Sequence, residues 1–378
     1  SLFLVPKIWV NDDGSLGEFN DVVCTGIEHK MGIHGSATCS LTLGGKGQCR
    51  GTLLGEINKG MRAMFVMMNE ARLDVGMQSL GCASASFMNA LNYARERVQG
   101  RHLTAAGKDA PPVPLIQHPD VRRMLLTMKS ITEGMRSIVY YTGYCEDMIR
   151  ISANAADKAR WQGLIDVMIP ITKGYVSDRA FDVCNLGVQM FGGYGYTKEY
   201  PQEQLLRDCK ITHIYEGTNG IQAMDLLGRK LGLNQGQSFR DLLDEMRKTA
   251  ADAKAVPDVA ALADVLESLI ARLEEAALHM VQALRSEKML TAYAAAYPFM
   301  EVTGDAVMAW MLLWRANIAG RKLAEGAKKK DAAFYQGQIM SARFFINNFI
   351  PVTLGKISAI LADDGTVVEI PEDAFGGK

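Results

Sequence analysis

The chain carries almost no net charge: 41 Lys and Arg stand against 42 Asp and Glu in 378 residues, a balance of −1 at pH 7. Its basic residues form no stripe with interleaved aromatics, which argues against nucleic acid as a partner. Cysteines are few, seven in all, none in a CxxC pair and none after Cys209. An odd number without framework spacing points to reduced thiols and so to a cytoplasmic location. Six histidines are dispersed, with no HExxH or paired-ligand spacing, so no metal site is expected. The longest apolar run, around Val307 to Trp314, is far short of the roughly 20 residues of a membrane span. Solenoid repeats and low-complexity tracts are also lacking. With 48% hydrophobic and 22% charged residues, the composition is that of a globular chain long enough for two or three cores.

Against these absences stands a change of period along the chain. Residues 1–53 alternate apolar and polar positions between Gly, Asn and Asp clusters, which predicts several strands. From Asn58 onward apolar residues recur at i, i+3, i+4 and i+7, the spacing of amphipathic helices. One long or two consecutive helices are expected up to Gln99. A Pro-rich loop over 101–119 follows, then a helix with Pro119 in its first turn, where proline is tolerated. Another helix is expected over 160–191, bent at Pro170, and a further one over 209–231. Four such helices predict an antiparallel bundle. After the linker LGLNQGQS, helices are expected over 239–286, 287–320 and 331–362, with a packing role. The Lys328–Lys330 run reads as a solvated loop. The division expected is 1–53, the end of a β-domain; 54–232, a helical bundle; and 238–378, a second helical domain.

Glu216 is the leading chemical candidate, in a Tyr-Glu-Gly-Thr-Asn-Gly turn between apolar helical segments. Gly217 removes a side chain that would hold a flat ligand off the carboxylate. In apolar surroundings such as Ile214 and Tyr215, a carboxylate can serve as a base at neutral pH. The same residue can also be read as a solvated helix-start glutamate that favours the macrodipole. Gln189, Gly192 and Gly193 form a Gln-x-Phe-Gly-Gly corner, readable as a glycine-capped helix C-terminus. Arg97 offers a planar fork suited to phosphate oxygens, or is simply a solvated helix-end arginine. Asn69 and Arg72 read equally well as ligand-binding residues and as two polar residues on an exposed helix face.

The stretches IYEGTNGIQ (214–222), QMFGGYGYTKEYPQEQLLRD (189–208) and YARERVQG (93–100) closely resemble segments of the acyl-CoA dehydrogenase family. The long forms with an extra C-terminal helical domain, including methylmercaptopropionyl-CoA dehydrogenase, are the most similar type. The resemblance implies a mainly α fold with an antiparallel four-helix bundle, preceded by a partial β-domain and followed by a second helical domain. It implies FAD-dependent α,β-desaturation of an acyl-CoA thioester, with Glu216 taking the α-proton and an electron-transfer flavoprotein as acceptor. By the same resemblance Arg97, Gln99, Gln189, Gly192, Gly193 and Thr218 would contact FAD, partly that of a neighbouring subunit in a homodimer or tetramer. Asn69, Arg72 and Gly217 would contact substrate. The chain departs from the family pattern at Asn219-Gly220, where Ser-Gln is common, and at Asn69, where an acid is common. It also has Gly100 where a Phe follows the Gln, and His34 where Arg is common. Opening on SLFLVPKIWV, the chain resembles the C-terminal two thirds of a member, so weak FAD retention and little activity by this chain alone are expected. Acyl-CoA oxidases and nitroalkane-oxidising relatives share the scaffold, the latter usually with Asp in place of the glutamate. A non-catalytic helical assembly subunit is the alternative from another class.

Overall fold

The structure, a computed structural model, describes residues 1–105 and 109–377. Residues 106–108, within the expected Pro-rich loop, lie outside the described residues. The chain divides into two compact units, Ser1–Ala71 and Arg72–Lys378.

In the first unit the alternating pattern forms three antiparallel ladders: β1 (Leu2–Leu4) with β6 (Thr52–Leu54), β2 (Ile8–Val10) with β3 (Leu16–Phe19), and β4 (Val22–Ile27) with β5 (Cys39–Leu43). Pro6 separates β1 from β2, since a ring nitrogen cannot donate to a ladder. The unit is tied together by a buried amide. Asn20 donates 2.8 Å bonds to the carbonyls of Pro6 and Arg50 and accepts from the Arg50 N–H at 2.9 Å. Next to it, buried Asp21 accepts from the Lys46 N–H at 2.6 Å. Strand β3 was not anticipated; LGEF is too short and too polar to signal a strand by alternation.

Helix α1 (Gly60–Glu96) begins in the first unit and belongs to the second from Arg72 onward. A short hairpin follows, β7 (Val98–Arg101) with β8 (Pro112–Pro114), inside what the prolines suggested was loop. Next come α2 (Pro119–Ile151), α3 (Ala155–Pro170), α4 (Val176–Phe191), α5 (Gln202–Lys210) and α6 (Asn219–Asp225). Between α3 and α4 the helix does not end at Pro170. It widens into a π-turn over Ile171–Tyr175, all five residues buried. A proline has no N–H to donate and its ring crowds the preceding turn, and a π-turn lets the helix continue past that defect. The bundle closes through small residues. A side chain at Gly187 of α4 would collide with Ser86 Oγ of α1.

The remaining helices are α7 (Gln237–Ala253), α8 (Ala260–Leu284), α9 (Met289–Ala294), α10 (Ala296–Ala324), α11 (Lys329–Asn348), α12 (Ile350–Leu361) and α13 (Thr366–Glu369). The single helix expected over 239–286 is thus two, broken at Lys254–Val259, where Pro257 cannot donate its backbone bond. Lys329 and Lys330 open α11 rather than lying in a loop, though their side chains are exposed.

The helices before and after residues 232–236 pack as one compact unit around α10. Every residue from Val302 to Leu313 is buried, so the middle of α10 is covered on all sides, as a central helix must be. It packs against α2, α7, α8, α11 and α12. Trp310 sits edge-on to Tyr141 of α2 at 4.9 Å and donates its indole N–H to Thr249 Oγ1 of α7 at 2.7 Å. Asp305 is buried and accepts from the hydroxyls of Tyr175 (2.7 Å) and Thr353 (2.9 Å), with Arg179 at 3.4 Å. Lys329–Leu361 is long and apolar enough, by length and composition, to cross a membrane. It is nevertheless two helices, interrupted at Phe349 with Pro351 in the first turn of the second, and packed on α8 and α10.

Candidate active site

The Glu216 corner joins a 3-10 turn, Ile211–His213, to α6. Glu216 has φ +57° and Gly217 φ +84°. A left-handed conformation is free for glycine, but for glutamate it costs on the order of 1 kcal/mol and persists only where surroundings enforce it. Here the enforcing groups are visible. Fully buried Gln222 donates its amide to both the Glu216 carbonyl (3.2 Å) and the Gly217 carbonyl (3.3 Å). Arg72 Nε donates to the Glu216 carbonyl at 3.4 Å, while its Nη1 lies 3.5 Å from Asp225 Oδ2. Arg72 is buried, not on the exposed helix face that sequence spacing left open. A side chain at Gly217 would meet Gln222 Nε2 at 2.8 Å. The carbonyls of this corner therefore point inward to fixed donors.

Glu216 itself is half-buried; Ile214 is exposed and Tyr215 half-buried, with its hydroxyl on the Gln78 side chain. Thr218 caps α6, its hydroxyl accepting from the Ile221 N–H at 3.3 Å, and stays exposed. Asn219, met in the sequence only as a departure, is buried and bonds to the carbonyl of Gly174, to Ser177 and to Asp178. Behind it lies fully buried Lys173 of the π-turn. Sequence reasoning missed Lys173, Gln222 and Asp225. For Lys173 the signal was there: one cation inside the apolar run Ile169–Tyr175.

A second cluster forms at the other end of α1. Tyr93 stacks on Phe191 at 4.1 Å, and the Arg97 guanidinium lies 5.8 Å from the Tyr194 ring. Gly192, with φ +60°, caps α4 by donating its N–H to the Gln189 carbonyl. Gly193 has no positive φ, and a side chain there would meet nothing within 4 Å. Gln189 and Arg97 are exposed. An exposed guanidinium beside a side-chain-free turn fits a pyrophosphate, which needs charge and close backbone approach. Gln99, in β7, receives His118 Nε2 on its carbonyl at 2.8 Å. From Arg72 to Tyr93 is about 30 Å at 1.5 Å per residue, so within one chain the Arg97 cluster and the Glu216 corner are separate. Asn69 is in the first unit, half-buried, three residues before Arg72 on α1. Among the described residues no group of three or more His, Cys, Asp or Glu could hold a metal ion.

The family pattern described as "Acyl-CoA dehydrogenase, C-terminal domain" matches residues 58–231, and that described as "Acetyl-CoA dehydrogenase C-terminal like" matches 242–371. The chain is similar to a butyryl-CoA dehydrogenase of Syntrophomonas wolfei, 38% identical over 99% of this chain and 62% of that protein. It is 37% identical to a 3-methylmercaptopropionyl-CoA dehydrogenase of Ruegeria pomeroyi, over 91% of this chain and 57% of that one. The crystal structure of a Bacillus anthracis acyl-CoA dehydrogenase complexed with FAD shares the fold, with a TM-score of 0.67 and 21% identity over 93% of this chain and 58% of that one. The chain belongs to the acyl-CoA dehydrogenase family. It spans about three fifths of the length of these relatives.

Proposed function

We propose that the protein desaturates an acyl-CoA thioester between its α and β carbons, with Glu216 as the base. The observation that carries this reading is the strained Glu216–Gly217 corner, its carbonyls tied inward by Gln222 and Arg72. Such strain is kept where a side chain must be held in one direction. The α-proton passes to a Glu216 carboxylate oxygen, leaving its electron pair on the carbon beside the thioester carbonyl. What FAD supplies when bound is an acceptor for the β-hydride. Arg97, with its fixed charge, and the Gln189–Gly192–Gly193 turn would hold the diphosphate half of a partner subunit's FAD in a homodimer. Gln99 would flank that arm, and Thr218 would contact the same chain's flavin. Gly217 lets substrate approach the carboxylate, Arg72 orients the corner from behind, and Asn69 would contact the CoA portion. An electron-transfer flavoprotein is the proposed acceptor and the cytoplasm the proposed location. The limits 1–53, 54–232 and 238–378 are proposed as modules of the chain, not as separately folding bodies.

The test is Glu216→Gln in the protein carrying FAD, measured across a panel of acyl-CoA thioesters with a dye acceptor. Turnover and exchange of the substrate α-hydrogen with D2O should both fall by at least about a hundredfold, the lower end for a lost general base. Wild-type exchange in the Gln variant would remove Glu216 from the mechanism.

A further inference from the structure

Lys173 has no solvent-exposed surface, and its ammonium donates to a side-chain oxygen, Asn219 Oδ1, at 2.9 Å. No carboxylate is in ion-pair contact with it among the described residues; the charges it feels are Asp178, Arg72 and Glu216. Burial, the largest influence, pushes it down to about 8. Asn219 is in turn fully engaged. Its amide nitrogen faces Gly174 O (3.1 Å), Ser177 Oγ (2.9 Å) and Asp178 Oδ1 (2.8 Å), and Ser177 Oγ lies 3.2 Å from its oxygen. Asp178 is itself held by the Tyr297 hydroxyl at 2.5 Å and by His213 at 3.2 Å. Asn219 is the first residue of α6, directly after the Thr218 cap and three residues after Glu216.

We propose that Lys173 is a positioning residue for the base, clamping the start of α6 through Asn219 and so holding the Glu216 corner in its left-handed form. The proposal rests on reading Glu216 as the base. The corner is then held from two sides, by Arg72 and Gln222 on its carbonyls and by Lys173 through the first residue of α6. A buried cation with an amide oxygen for a partner costs stability, and an apolar side chain of similar length would fit more favourably. A residue kept at such a cost serves function rather than folding. The two roles are therefore separable by experiment.

Lys173→Met, Asn219→Ser and the double variant are made in the protein carrying FAD. Thermal midpoint at pH 7, kcat and KM for butyryl-CoA, and α-hydrogen exchange in D2O are measured for each. Lys173→Met should unfold at the same temperature as wild type or higher, with KM within about twofold and kcat and exchange lowered about tenfold or more. Small misplacements of a reacting group reach such factors. Asn219→Ser should match it in kcat, and the double variant should be no worse than either single, because both cut the same link. A Lys173→Met protein that turns over like wild type overturns the proposal. So does one that melts lower or fails to fold at pH 7, which would make the lysine structural. Lys173→Leu is measured alongside as a second side chain that cannot donate, and wild-type turnover there likewise counts against the clamp. Glu216→Gln separates the two levels: exchange lost there with normal Lys173→Met defeats the clamp alone, while exchange that survives Glu216→Gln defeats the base on which it depends.

Discussion

Replacing Lys173 by methionine should change how stability responds to pH. In the folded chain burial holds the ammonium near 8, against its usual 10.5 when unfolded. Between those values the unfolded chain binds more protons at this site than the folded one, so stability rises with pH across the window. The gap of 2.5 between 10.5 and 8, at about 1.4 kcal/mol for each pH unit, amounts to about 3 kcal/mol. That cost is present in full below pH 8 and gone above 10.5. Moving from pH 7.5 to pH 10 should recover about 2 kcal/mol of it. Lys173→Met has no such group, so its advantage over wild type should shrink by that amount over the same range. His213, which Lys173 also pushes down, stays neutral across this range, so its part in the difference is small. Urea unfolding of both at pH 7.5, 9 and 10 reads the effect directly. Two stability curves running parallel in pH would refute the placement of a charged, desolvated lysine here.

Gly217→Ala should destabilise the protein by about 1–3 kcal/mol, since alanine must accept φ +84° and displace Gln222 Nε2; chemical denaturation reads the loss, and kcat should fall with it. Trp310→Ala should cost about 3–5 kcal/mol, the usual range for an emptied aromatic site, together with the indole bond to Thr249. A differential scan showing one lowered transition for the helical unit is expected, because α10 is shared by its helices. Arg97→Met should leave the melting temperature of the flavin-free protein unchanged, the side chain being exposed. Flavin release followed by fluorescence should show weakened FAD retention, and unchanged retention would separate this arginine from the cofactor.

Much of the site was legible because it is local. The letters from Ile214 to Gly220 contain the proposed base and the glycine that permits the turn, whereas the cap of Thr218 and the securing amide of Gln222 showed only in the structure. The Gly-Gly corner was equally readable as a helix stop. What escaped is non-local or counter to residue type. Lys173 and Asn219 meet across 46 positions, and no spacing rule pairs them. Arg72 read equally as a ligand-binding residue and as a residue on an exposed helix face; its burial beside Asp225, far along the chain, was in neither reading. In the fold, the apolar character of Val307–Trp314 was visible, yet its partners in α2 and α7 were not. Pro257 passed unnoticed because the Ala- and Leu-rich periodicity continues on both sides of it. Strands β3, β7 and β8, at three or four residues each, are too short for alternation to register.

The central place of α10 also sets the order in which this protein can be made. Gly134 of α2 packs against Met308 and Tyr141 against Trp310, but those partners leave the ribosome more than 150 residues after α2 is complete. At translation speeds of about 5–20 residues per second, the wait is roughly 8 to 30 s. During it α3 and α4 can already pack on α2, but the faces of α2 that meet α10 wait for their partner. A nascent chain stalled before Ala324 would therefore lack the helix on which α2, α7 and α8 converge, and should bind chaperones more than the released chain.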